Sequence, residues 1–151
     1  MILIESLKQF GGCKIIFLDA GFYVVMDTVT IPAGTRIVGE GWSVLAGKGP
    51  KFQNQNEPKV VFRVGKKGST GITEITDVVF ATVGPTAGAI VVEWNVREPD
   101  DAQAGAGMWD SHMRYVSIHS YDVMLVISCS SGLVEVSYRC MFSYVVYHDS
   151  C

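Results

Sequence analysis

Apolar and polar positions follow two different rhythms along this chain. Within MILIESLKQF, residues Ile2, Leu3, Ser6, Leu7 and Phe10 fall on one side at helical spacing, which predicts a short N-terminal helix. From Lys14 onward the text becomes short runs rich in Val, Ile, Phe and Thr, cut by Gly, Pro, Asp or Asn. The runs are KIIFL (14–18), FYVVM (22–26), TVTI (28–31), TRIVG (35–39), KVVFRVG (59–65), ITEITDVVFAT (72–82) and AGAIVVEWNV (87–96). Branched and aromatic residues suit a pleated, half-buried surface, so each run reads as a strand and the fold class as all-β.

Two features argue against hairpins. The punctuation between the early runs is very short, as in LDAG and MD, and such corners bend a chain without reversing it. Comparable apolar groups also recur at intervals of about twenty residues: Ile15-Ile16-Phe17, Ile37-Val38, Val60-Val61-Phe62 and Val78-Val79-Phe80. Strands repeating at such a period mark a solenoid, in which each coil covers the apolar inside of the next. The pattern predicts a right-handed parallel β-helix of several coils, with a β-sandwich as the alternative. The expected division is a partial β-helix over 1–114 and a divergent tail over 115–151, either an added coil or a poorly ordered end. Segments 40–58 and 95–112 are Gly-rich and polar, and read as loops leaving one corner, to bind something or only to be solvated.

Composition narrows the functions. At 151 residues the chain fits one domain with a real core, and its formal net charge of -3 gives no basic footprint for nucleic acid. No apolar run reaches the ~20 residues of a membrane helix, and MILIESLKQF lacks the basic start and sustained apolar core of a secretory signal. Cys13, Cys129, Cys140 and Cys151 are too far apart for a zinc knuckle, and no histidine pair has ligand spacing, so neither metal nor cofactor is expected. GKKGSTG (65–71) does not have the order of a phosphate-binding loop, and VISCSSG lacks a nucleophile elbow around Ser130. His112, His119 and His148 stand alone.

The chemistry-bearing string is GPTAGAIVVEWNV, which ends on Glu93, Trp94 and Asn95. Trp109 and Asp110 close the loop that follows, and Trp42 sits in GEGWSV. An indole face stacks on a sugar ring while a carboxylate or amide hydrogen-bonds its hydroxyls, so these six are candidate polysaccharide contacts. Against that, Trp94 could fill a groove under the 97–108 loop, Asp110 could cap a coil, and Glu40, between two glycines, reads as a turn residue.

The string from CKIIFLDAGFYVVMDTVTIPAGTRIVGEGWSVLAGKG to KVVFRVGKKGSTG, with ITDVVFATVGPTAGAIVVEWNV and AGMWDSHMR, resembles fungal exo-β-1,3-glucanases. These are glucan 1,3-β-glucosidases of glycoside hydrolase family 55, in the pectate-lyase-like superfamily. The resemblance runs from about Gly12 to Arg114 and implies the opening coils of the second of two tandem right-handed β-helices. It implies β-1,3-glucan or a related polysaccharide as partner, an inverting exo-hydrolysis, an extracellular setting, no cofactor, and the first β-helix as the natural packing partner. The family's general acid lies in later coils that this chain does not match, so no residue here is assigned as catalytic. The expectation is a piece of such a hydrolase, inactive by itself. The alternatives are a non-catalytic polysaccharide-binding module and a non-functional truncated product.

Overall fold

A computed structural model describes residues 2–114, 123–129 and 132–138. Cys140, Cys151, Ser130, His119 and His148 fall outside the described residues. One helix, α1 (Ile2–Phe10), precedes a run of strands: β1 (Ile15–Leu18), β2 (Gly21–Val25), β3 (Val29–Ile31), β4 (Arg36–Lys48), β5 (Lys59–Thr70) and β6 (Thr73–Val83). They continue as β7 (Ala89–Arg97), β8 (Ala106–Trp109), β9 (His112–Arg114), β10 (Val123–Cys129) and β11 (Gly132–Tyr138). The protein is mostly β, and its first helix lies where the spacing of Leu3 and Leu7 predicts it.

The chain alternates between two sheets. The first is ordered β1-β4-β6-β8, with β2 also beside β4 and β9 beside β6; the second is β3-β5-β7-β10-β11. Every strand pair within residues 15–114 is parallel, which removes the hairpin sandwich. Strand β10 joins β7 in parallel, and β11 turns back antiparallel to β10.

Register stacks like on like. In the first sheet Ile16 lies beside Ile37, Ile37 beside Ile75, and Ile75 beside Met108. All four are buried. In the second, Ile31, Val64 and Trp94 form a matching buried column. The two sheets share one core, in which Phe62 meets Phe80 edge to face at 5.4 Å and 63°. Helix α1 adds Leu3 and Leu7, each 3% exposed, to that core, and Gly12 at φ 85 ends it in the left-handed conformation common after a helix.

The repeat is longer than the apolar groups suggest. Val29 pairs with Phe62 and Phe62 with Val92, 33 and 30 residues on. The twenty-residue recurrence mixes groups from both sheets: Val60-Val61-Phe62 lies on the second, while the other three lie on the first. Segment 40–58 is also not one loop, because β4 runs through it as far as Lys48. Likewise 95–112 contains β8 and the end of β7.

Successive strands of the first sheet bend at one level. The bends are Asp19-Ala20 between β1 and β2, Gly39–Trp42 within β4, Asp77 within β6, and Asp110-Ser111 between β8 and β9. Asp77 and Asp110 take left-handed backbone (φ 57 and 46), as does Gly41 (φ 83). Buried Ser43 ties two bends together: its Oγ accepts from the Glu40 N–H and donates to Leu18 O at 2.6 Å. The Ala20 N–H donates to Glu40 Oε2. Thus Glu40 is a corner residue by geometry.

Candidate functional site

The six candidate residues do not gather in one place. Glu93, Trp94 and Asn95 lie on β7 of the second sheet. Strand alternation sends Trp94 to the face opposite its two neighbours. Its indole is 8% exposed and Nε1 donates to Val96 O at 2.8 Å, so it offers no open ring to a ligand. On the other face Glu93 is held by Arg63, whose Nε and Nη2 reach the two carboxylate oxygens at 2.9 and 3.3 Å. Buried Asn95 donates from Nδ2 to Glu93 Oε1 at 2.6 Å and to Gly65 O at 3.3 Å.

Those contacts set the charge state of Glu93. Partial burial pushes its carboxyl upward, but the hydrogen bonds from Arg63 and Asn95, with the charges of Arg63 and Lys67, outweigh it and bring the group below its ordinary value. A general acid needs the opposite shift. Held ionised between a guanidinium and an amide, Glu93 is built to order β5 against β7, not to deliver a proton.

Trp109 and Asp110 lie at the fourth bend of the first sheet, and Trp42 lies in the second bend with 77% of its surface exposed. Strand register brings Trp109 to a surface that sequence reasoning did not single out. Phe17, Val38, Thr76 and Trp109 stand side by side on β1, β4, β6 and β8, and Ile15, Arg36, Glu74 and Gly107 form the adjacent row. Burial alternates along β1, leaving Ile15 and Phe17 61% and 62% exposed, and Trp109 is 39% exposed. Arg36 Nε meets Glu74 Oε2 at 2.9 Å, with both side chains close to half exposed. Together Ile15, Arg36, Val38, Glu74, Thr76 and Trp109 line a shallow cleft of about 280 Å³.

The lining of that cleft is mainly apolar, with a smaller polar part. Ile15 and Val38 give an apolar floor, Trp109 an aromatic wall, and Arg36, Glu74 and Thr76 supply donors and acceptors. Within TRIVG and ITEIT the polar members alternate with buried Ile37 and Ile75, so an outward face was readable. That Arg36 would meet Glu74 was not, because the two are joined only by register. Among the described residues no group of three His, Cys, Asp or Glu side chains is disposed to hold a metal ion. No described helix is long and apolar enough to cross a membrane.

No family model matches the chain. A glucan 1,3-β-glucosidase of Cochliobolus carbonum is 33% identical over 89% of this chain and 16% of its own length. The chain is glucan 1,3-β-glucosidase-like in sequence. A glucan endo-1,3-β-glucosidase of Trichoderma harzianum is 37% identical over 65% of this glucosidase-like chain and 13% of its own length. A non-secreted LysM effector of Penicillium expansum is 40% identical over 89% of the chain and 9% of its own length. That last match covers 134 residues, more than the 1–114 span, so the similarity extends into the segment after Arg114. The chain spans only 9% to 16% of the length of these three curated relatives.

Proposed function

We propose that the glucosidase-like chain forms successive coils of a right-handed parallel β-helix, and that it binds β-1,3-glucan without hydrolysing it by itself. One observation carries the reading: a continuous parallel ladder from β1 to β9 coincides with sequence shared with fungal glucan 1,3-β-glucosidases. The alternation of β4, β5, β6 and β7 between two sheets that share a core supports coils stacked on one another. A relative named as a LysM effector, 40% identical over 89% of the chain, lends weaker support to a binding role.

The carboxylates favour binding over catalysis. Inverting hydrolysis needs a protonated acid and a base about 6.5–9.5 Å apart across the scissile bond. Glu93 is kept ionised by Arg63 and Asn95, and Glu74 is engaged by Arg36. The Glu93 oxygens are taken up by Arg63 and Asn95, and Glu74, 44% exposed, keeps room to accept a hydroxyl hydrogen. Incubation with insoluble β-1,3-glucan, followed by sedimentation, tests binding, and glucose release from laminarin tests turnover. Retention on the solid with no glucose released is the expected result. Failure to sediment with glucan refutes the binding role, and steady glucose release refutes the non-catalytic one.

A further inference from the structure

The geometry points to an oligosaccharide subsite in the cleft between Ile15 and Trp109, with the sugar chain running across β1, β4, β6 and β8 instead of along any strand. The proposal rests on the glucan-binding reading and adds to it a place, a direction and the groups that make contact.

Direction follows from register. Phe17, Val38, Thr76 and Trp109 occupy one row, one residue per strand, and Ile15, Arg36 and Glu74 occupy the next. Neighbouring strands lie about 4.8 Å apart, so the rows extend about 14 Å over three spacings. The residues lining the cleft of about 280 Å³ come from all four strands, so a sugar chain laid along the rows would meet each strand in turn. Along a single strand the same face is interrupted within a few residues by the bends at Glu40, Asp77 and Asp110.

The groups divide between the two faces of a sugar. Pyranose rings have apolar C–H faces and an equatorial rim of hydroxyls. The half-exposed Trp109 indole and Val38 offer surface to the former. Arg36 presents a planar fork of donors and Glu74 a carboxylate acceptor, with the Thr76 hydroxyl beside them, which suits vicinal hydroxyls that both give and take hydrogen bonds. Gly107, next to Glu74 in its row, has no side chain to cover that carboxylate.

Calorimetric titration of the full chain with laminaribiose, laminaritetraose and laminarihexaose provides the test, alongside thermal melts of each variant. Affinity should rise from the disaccharide to the tetrasaccharide and then level off. Trp109→Ala and Glu74→Gln should each weaken tetrasaccharide binding by about tenfold, the scale of losing one contact to an ordered or charged group. Phe22→Ala, exposed beyond the bend on β2, should bind as the parent does, and all melts should coincide. Parental affinity in both Trp109→Ala and Glu74→Gln would remove the subsite while leaving glucan binding in place. Absence of saccharide binding in the parent would remove both, and a parent dimer that Trp109→Ala makes monomeric would reassign the cleft to a protein contact.

Discussion

Replacing Phe80 by alanine probes whether the two sheets are held by one interior. Phe80 is fully buried on β6, stands in register between Leu45 and Met113, and meets Phe62 of the second sheet with ring centroids 5.4 Å apart. Truncating a buried phenylalanine costs about 3–5 kcal/mol in lost transfer free energy and residual cavity. Against a typical total of about 5–15 kcal/mol, that is a large share of the folding free energy. The aromatic pair itself accounts for about 0.5–1.5 kcal/mol, separable by a double-mutant cycle of Phe62→Leu and Phe80→Leu. Urea unfolding followed by far-ultraviolet circular dichroism measures both quantities. The midpoint should fall sharply for Phe80→Ala with little change in slope, since the surface exposed on unfolding is nearly the same. A cost below about 1 kcal/mol, the range of ordinary substitutions, together with no coupling between the two rings, would refute a core shared across the sheets.

Three further substitutions examine two local features. Glu93 has its carboxyl lowered in the folded chain, so it adds stability that is fully present above the unfolded carboxyl value of about 4.3 and fades as pH falls through the folded value. Glu93→Gln should therefore flatten the acid side of a melting-temperature profile, and a profile parallel to the parent's would deny the linkage. Gly39→Ala and Gly41→Ala separate close approach from backbone conformation at one bend. A β-carbon at Gly39 would stand 2.2 Å from Asp77 O, whereas one at Gly41 meets nothing within 4 Å but forces φ 83 on alanine. Gly39→Ala should cost about 1–3 kcal/mol by overpacking and Gly41→Ala about 1 kcal/mol by strain, read from urea midpoints; the reverse order would show that the bends do not stack.

How much of this was legible follows from what a strand's own residues record. KIIFL, KVVFRVG and AGAIVVEWNV carry their burial in branched and aromatic side chains, so β1, β5 and β7 were readable where they lie. Nothing local records the partner. Ile37 pairs with Ile75, 38 residues on, across the whole of β5, and an apolar group at half that distance sits on the other sheet. The glycines of GEGW signal a turn, but here the turn is a bend inside a continuing strand, with the Ser43 hydroxyl taking up backbone groups of two neighbouring bends. The run TRIVG therefore ends at Gly39 in the text, while β4 continues to Lys48. Similarly, AGAGMWDSH is glycine-rich enough to read as loop although β8 lies within it, its small residues leaving Met108 to fill the column behind Ile75.

The site was less legible for a related reason. Three adjacent polar or aromatic residues, Glu93-Trp94-Asn95, look like a cluster in the text, but a strand with a two-residue period cannot present all three to one ligand. What shares a face is separated in sequence: Phe17, Val38, Thr76 and Trp109 meet only because β1, β4, β6 and β8 pair in parallel register. The same rule produces a matched pair of ion pairs, Arg36 with Glu74 on the first sheet and Arg63 with Glu93 on the second, each across parallel neighbours. They differ in what surrounds the carboxylate. Asn95 closes over Glu93, whose side chain is 22% exposed, while Glu74 is 44% exposed and has Gly107 as its register partner on β8. One pair has spent its hydrogen-bonding capacity inside the protein, and the other keeps part of it facing solvent beside a tryptophan. That difference in exposure is why the proposed saccharide contact is put on the first sheet and not on the second.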